Sequence, residues 1–240
     1  MPEQAVLDDD NTSAAIEHAI WSGGPLRRDE LRPLPTLPHP YPEGWTSHIE
    51  LVLLYNLARV TRGPILEIGP WLGRSTSAIC AGIRDQEAST RPAFDTVDFG
   101  ITSAEEWKTL LGIDFGPQLS HRVVVDAIYH PGGSMAVLIA NLRRNNLLEF
   151  TTTITRGNIL DMPFSRNYRM IFCDTTHDER EVRLYLPRIA QLARPGAHLV
   201  FDDVVTEDFA DLICSYLPVA ARRILHDEEQ YSKQLLVKLC

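Results

Sequence analysis

Residues 63–80 read Gly-Pro-Ile-Leu-Glu-Ile-Gly-Pro-Trp-Leu-Gly-Arg-Ser-Thr-Ser-Ala-Ile-Cys, and this stretch decides the fold. Ile65, Leu66 and Ile68 form an apolar run of strand length. Gly69 and Gly73 interrupt it, and residues 75–83 then follow a helical pattern with Ser75 and Thr76 at its start. Strand, tight glycine turn and helix in that order make the first half of a βαβ unit. The glycines let the backbone approach a ligand closely, and the helix start offers unpaired N–H groups. Glu67, on the strand just before the turn, would repel a dinucleotide's pyrophosphate and suits a cationic, amino-acid-like ligand.

Outward from this unit, strand-like and helix-like segments alternate as far as Asp203. Strands are expected at 94–99, 151–156, 168–174 and 197–201, and helices at 46–61, 133–145, 179–193 and 209–217. Residues 222–226 and 234–238 read as two last strands joined by a hairpin. This order predicts an α/β fold with a mainly parallel sheet and helices on both faces. The run Met170-Ile171-Phe172-Cys173 has the continuous apolar character of a central strand buried on both faces. Ligands of such sheets bind at the C-terminal strand ends, and here those ends are acidic: Glu67, Asp98, Asp174, Asp202 and Asp203. They are expected to converge on one crevice. Asp98 ends the second strand, where a carboxylate can accept from two vicinal ribose hydroxyls.

Two segments lie outside the alternation. Residues 1–45 form an N-terminal arm: an acidic, frayed start at 1–11, a short helix at 14–21, then a stretch at 26–44. Pro25, Pro33, Pro35, Pro38, Pro40 and Pro42 keep regular structure out of that stretch. It is either a mobile spacer or an arm packed on the domain or on a neighbouring subunit, and Leu34, Leu37, Tyr41 and Trp45 favour the packed arm. Residues 46–240 form the main domain. Its first helix is capped by Thr46 or Ser47, with Glu50 placed for a capping box and Ile49, Val52, Leu53, Leu57 and Val60 on one face. The insert at 101–131 is too long for a simple connection. It carries a short helix at 103–111 and the aromatic residues Trp107, Phe115 and Tyr129, as an active-site cover or specificity element would, the alternative being a surface excursion packed for stability alone.

The chain has 240 residues, 44% hydrophobic and 23% charged, enough for one large domain with its own core. Its net charge of −9 argues against a nucleic-acid-binding face. Cys80, Cys173, Cys214 and Cys240 are far apart and read as free thiols of a reducing compartment. With neither a secretory pattern nor a membrane-length apolar run, a cytoplasmic protein without nucleic-acid or membrane partners is expected. The arm and insert suggest a homo-oligomer, a dimer or larger.

Asp174, Asp202 and Asp203 sit at the tips of two neighbouring strands, and no lysine or arginine is adjacent to them in sequence. Three such carboxylates repel one another unless a cation lies between them, and an all-oxygen set suits Mg²⁺ or Ca²⁺. His177 follows Asp174 by three residues, in Asp-Thr-Thr-His-Asp. It can serve as a general base for a substrate hydroxyl, or merely pair with Asp178 or Glu181 at a helix start.

The series Glu67-Ile-Gly-Pro-Trp-Leu-Gly73, Asp98, Gly157-Asn158-Ile159-Leu-Asp161, Phe172-Cys-Asp-Thr-Thr-His177 and Phe201-Asp-Asp203 resembles the motifs of class I S-adenosylmethionine-dependent methyltransferases. The likeness is greatest to cation-dependent small-molecule O-methyltransferases of the macrolide-sugar and cephalosporin-tailoring type. It implies a Rossmann-like seven-stranded sheet with the last strand antiparallel, and an enzyme that methylates a natural-product-like hydroxyl. It also implies cofactor contacts from Glu67, Gly69, Trp71, Gly73, Ser75, Asp98, Asn158, Ile159 and Asp174, a metal set of Asp174, Asp202 and Asp203, and His177 as catalytic base. Two departures matter. His177 stands where the catechol type has a lysine, which favours a sugar or polyketide hydroxyl, and Trp71 replaces the middle glycine of the turn, either to pack on the ligand or to fill space. The runner-up is an enzyme of the same fold that binds S-adenosylmethionine for a reaction such as cyclisation. A non-catalytic scaffold comes next, and a nicotinamide dehydrogenase is weakest, because the turn is not Gly-x-Gly-x-x-Gly.

Overall fold

The computed structural model describes residues 14–21, 28–112, 114–164, 166–175, 177–227 and 232–240. The segment 1–11 that was expected to fray, the Pro25 end of the arm and the tip of the expected last hairpin lie outside these residues. Seven strands form one sheet: β1 Ile65–Ile68, β2 Phe94–Asp98, β3 Thr153–Arg156, β4 Tyr168–Cys173, β5 Ala193–Phe201, β6 Val219–Asp227 and β7 Ser232–Leu239. Their order is β3-β2-β1-β4-β5-β7-β6. β1 to β5 run parallel, and β7 is antiparallel to both its neighbours. The expected sheet, with its last strand reversed, is the one observed. The order turns outward in both directions from β1 and β4, the position at which ligands of open α/β sheets bind.

Side-chain alternation along the strands feeds two cores. On one face, Ile65, Met170, Phe172 and Val200 pack against α1 (residues 14–21), α2 His48–Val60, α3 Arg74–Arg84 and α6 Gly133–Arg144. On the other, Leu66, Ile171, Leu199 and Phe201 pack against α7 Glu179–Leu192 and α8 Glu207–Cys214. α2 departs from the one-faced pattern. Leu51, Leu54, Tyr55 and Ala58 are buried along with Leu53 and Leu57, because neighbours enclose α2 on more than one side: Tyr55 and Ala58 lie against Gly82 of α3, and Asn56 meets Arg32 of the arm. The arm is packed on its own domain. Leu31 and Leu37 are buried, the Asn56 amide of α2 bonds both the N–H and the C=O of Arg32, and Asn145 receives the His39 N–H. Trp45 is different, at 61% exposed.

Two further differences have local causes. Residues 194–196, left between the helix expected to 193 and the strand expected from 197, lie inside β5: Ala193 pairs with Tyr168 and His198 with Met170, so the residues between them bulge out at Gly196, φ 73°. The insert holds more helix than expected: α4 Ala104–Leu111, capped by Ser103, is followed by a 3₁₀ turn and by α5 Arg122–Ile128. Trp107, Phe115, Val124 and Ile128 give it a small core of its own.

Leu53 is fully buried where α2, the arm and the sheet meet. Leu53→Ala is expected to lower unfolding free energy by about 2–5 kcal/mol, measured by urea denaturation.

Candidate active site

β1 ends against β4, and the turn that follows needs a residue without a side chain. A Cβ on Gly69, φ 84°, would lie 2.5 Å from the carbonyl oxygen of Asp174. The Asp174 N–H bonds Ile68 and the Gly69 N–H bonds Val97, so three strand tips are tied at this point. Trp71 takes a left-handed φ of 49°, costly for a bulky residue, and its N–H reaches Asp98 Oδ2 at 3.3 Å. The Gly100 N–H holds Asp98 Oδ1 at 2.6 Å. Each carboxylate oxygen of Asp98 keeps a lone pair for a ligand hydroxyl. Burial pushes the Asp98 pKa up, and the two N–H donors pull against that shift.

A cavity of about 250 Å³ opens above these tips. Gly69, Trp71, Asp98, Asn158, Ile159 and Asp174 line it, and on the far side so do His177, Asp202 and Asp203. Glu67, Gly73 and Ser75, also expected at the cofactor, do not line it. Ile68 faces the cavity, so its strand neighbour Glu67 points the other way, under the first turn of α3. There Glu67 is fully buried and accepts from Ser75 Oγ and Thr76 Oγ1 at 2.7 Å and from Thr96 Oγ1 at 3.0 Å. Gly73 starts α3 and lies against Leu138. All three hold the glycine turn from behind.

On the acidic side of the cavity Asp174 and Asp203 come together with His177, Asp202 lies outside that close group, and Lys233 joins from a distant strand. Ligand atoms of Asp174, His177 and Asp203 lie within 4.8 Å of one another. His177 Nε2 is 3.3 Å from Asp203 Oδ2 and 3.6 Å from Asp174 Oδ1, and its Nδ1 is 3.0 Å from Glu181 Oε2. The carboxylates of Asp174 and Glu181 push the His177 pKa up to about 10. In this geometry His177 holds a proton at neutral pH. Asp202 is 3% exposed and its Oδ1 has no hydrogen-bond partner. Burial, followed by the charges of Asp174 and Glu50, raises its carboxyl well above the usual range. Lys233 of β7 pairs with Asp203 Oδ1, so the aspartates do not lack a counter-charge. Glu181 was readable, being four residues from His177 at the start of α7. Lys233 was not.

The remaining wall is apolar. Trp45 from the arm, Trp71 from the turn and Trp107 from the insert run side by side, with ring centroids 6.1 and 5.9 Å apart. Arg74 sets Trp45 in place by donating to Thr46 O and Pro42 O on either side of it. Trp71 thus lines the cavity and also packs between two indoles.

The sheet order, the glycine turn and the acidic tip of β2 together define a methyltransferase-type α/β domain. Residues 66–204 match a family described as a methyltransferase domain. The chain belongs to that family and is an S-adenosylmethionine-dependent methyltransferase. No curated protein matches it. Its fold is similar to that of the O-methyltransferase TomG from Streptomyces achromogenes, with TM-score 0.51, 16% identity, and 95% of this chain and 89% of that one covered. It is also similar to an O-methyltransferase from Bacillus cereus, with TM-score 0.53, 16% identity, and 100% and 92% covered.

Burial raises the Glu67 pKa from 4.5 to about 7, against the pull of the Ser75, Thr76 and Thr96 hydroxyls. Between those pH values the folded chain keeps a proton that the unfolded chain has released, so stability falls as pH rises. The stability of the wild type relative to Glu67→Gln is expected to fall by about 3 kcal/mol across this window and to level off above it. Urea unfolding at a series of pH values measures this.

Proposed function

We propose that this chain transfers the methyl group of S-adenosylmethionine to a hydroxyl of a small, natural-product-like molecule, assisted by a divalent cation, Mg²⁺ or Ca²⁺. The observation that carries the reading is the buried, unpartnered Asp202 Oδ1 beside Asp174, His177 and Asp203, in the same cavity as Asp98 and the glycine turn. A buried carboxylate oxygen left without a donor is costly and fits an absent hard cation. The two structural relatives described above are both O-methyltransferases, and one acts in tomaymycin synthesis.

In this reading Asp98 accepts from the ribose hydroxyls, Asn158 and Ile159 flank the adenine, and Gly69 lets the methionine part lie close to the backbone. Asp174, Asp202 and Asp203 hold the cation. S-adenosylmethionine supplies an electrophilic methyl, and a bound divalent ion lowers the pKa of a hydroxyl that contacts it. Trp45, Trp107 and the insert wall the acceptor side and keep water from the line of transfer. His177 takes the acceptor's proton only in the form in which another cation neutralises Asp174, the larger of the two carboxylate influences that hold its proton, the other being Glu181. As the geometry stands, its own proton is held too tightly.

The enzyme with S-adenosylmethionine and a panel of hydroxylated acceptors is expected to release S-adenosylhomocysteine and no methylthioadenosine, with turnover lost in EDTA. Asp202→Asn and His177→Ala should each lower turnover at least about ten-fold while S-adenosylhomocysteine binding persists. Normal turnover in both variants refutes the mechanism. Asp98→Ala should weaken S-adenosylhomocysteine binding by about ten-fold or more in calorimetry, because hydrogen bonds to a carboxylate are lost.

A further inference from the structure

Lys233 reaches the aspartates through backbone order. β5 and β7 are antiparallel with Phe201 opposite Leu235, and two further steps along that register set Asp203 opposite Lys233. The main chain of Lys233 is fixed on both sides. Its N–H donates to Glu50 Oε1 at 2.8 Å, and its carbonyl accepts from the Val204 N–H at 2.7 Å. Glu50 is fully buried in α2, also accepts from Ser232 Oγ, and holds the Ser47 N–H with its other oxygen. The Lys233 side chain is only 14% exposed and lines the cavity, with its ammonium on Asp203 Oδ1. The other oxygen of Asp203 faces His177. An arriving divalent ion therefore meets a ligand already engaged and a like charge beside it. A lysine stem is flexible, so the ammonium can leave Asp203 while the β7 backbone stays in place.

We propose that Lys233 is a tethered counter-ion for the cation site: it holds Asp203 when no divalent ion is bound, competes with that ion for the same carboxylates, and swings off Asp203 when the ion enters. The proposal rests on the reading of Asp174, Asp202 and Asp203 as a cation site. Lys233 is thus a positioning residue that sets metal affinity low, and the aspartates are never left wholly without a cation.

The test is Mn²⁺ binding, followed by electron paramagnetic resonance on the full chain, for wild type, Lys233→Met, Lys233→Arg and Asp202→Asn. Lys233→Met should bind Mn²⁺ at least ten-fold more tightly than wild type, and Lys233→Arg should keep the weak affinity. In EDTA, Lys233→Met should melt below wild type, and Mn²⁺ should narrow that gap. If wild type and Lys233→Met bind Mn²⁺ equally, with binding lost in Asp202→Asn, the role of Lys233 is refuted and the cation site stands. If neither binds Mn²⁺, both fail. A second measurement needs no variant. Acylation of the Lys233 amine in wild type, read by peptide mass spectrometry, should rise several-fold when Mn²⁺ is added, with exposed Lys108 as the internal control. An unchanged rate overturns the proposal.

Discussion

Mutual repulsion among carboxylates at the C-terminal edge of a parallel sheet is the constraint around which this molecule is built. Parallel strands bring their ends to one side, and here four aspartates, Asp98, Asp174, Asp202 and Asp203, share the cavity at that side. Each is answered differently, Asp174 by the imidazole of His177 at 3.6 Å. Asp98 receives two backbone N–H groups. Asp203 is held between Lys233 and His177. Asp202 is left buried and unpartnered at one oxygen. Since burial of an unpaired charge is expensive, the arrangement is one that favours cations.

Glu67 shows the same constraint one layer deeper. It looks like a ligand-facing acid because it precedes the glycine turn, yet strand alternation turns it beneath α3, where three hydroxyls meet it. It couples β1, β2 and the start of α3, and so holds the turn on which Trp71 and Asp98 meet. The arm and the insert do corresponding work on the other side of the cavity. Arg74 ties the arm's end to α3, and Arg156 ties α4 to β3 through Glu106, so Trp45 and Trp107 flank Trp71.

Much of this was legible along the chain. Apolar runs of strand length, glycine and proline breaks, and acidic tips specified the sheet, its direction and the crevice, because these signals are local and repeat with secondary structure. Asp98, Asp174, His177 and Asp203 could be singled out for the same reason: each lies at a strand end or a short distance beyond it. That Glu67, Gly73 and Ser75 lie behind the turn rather than in the cavity wall was not legible, because proximity in sequence does not say which face of a strand or helix a side chain takes.

The sequence by itself determined the order of elements and the residue types at their ends. Tertiary structure alone decided which charges meet. Lys233 lies 30 residues beyond Asp203 and reaches it only because β7 runs antiparallel to β5 in a particular register. Trp45 reaches the cavity only because α3 anchors the arm. Pairing register and docking are long-range outcomes of packing, and no local pattern of residues encodes them.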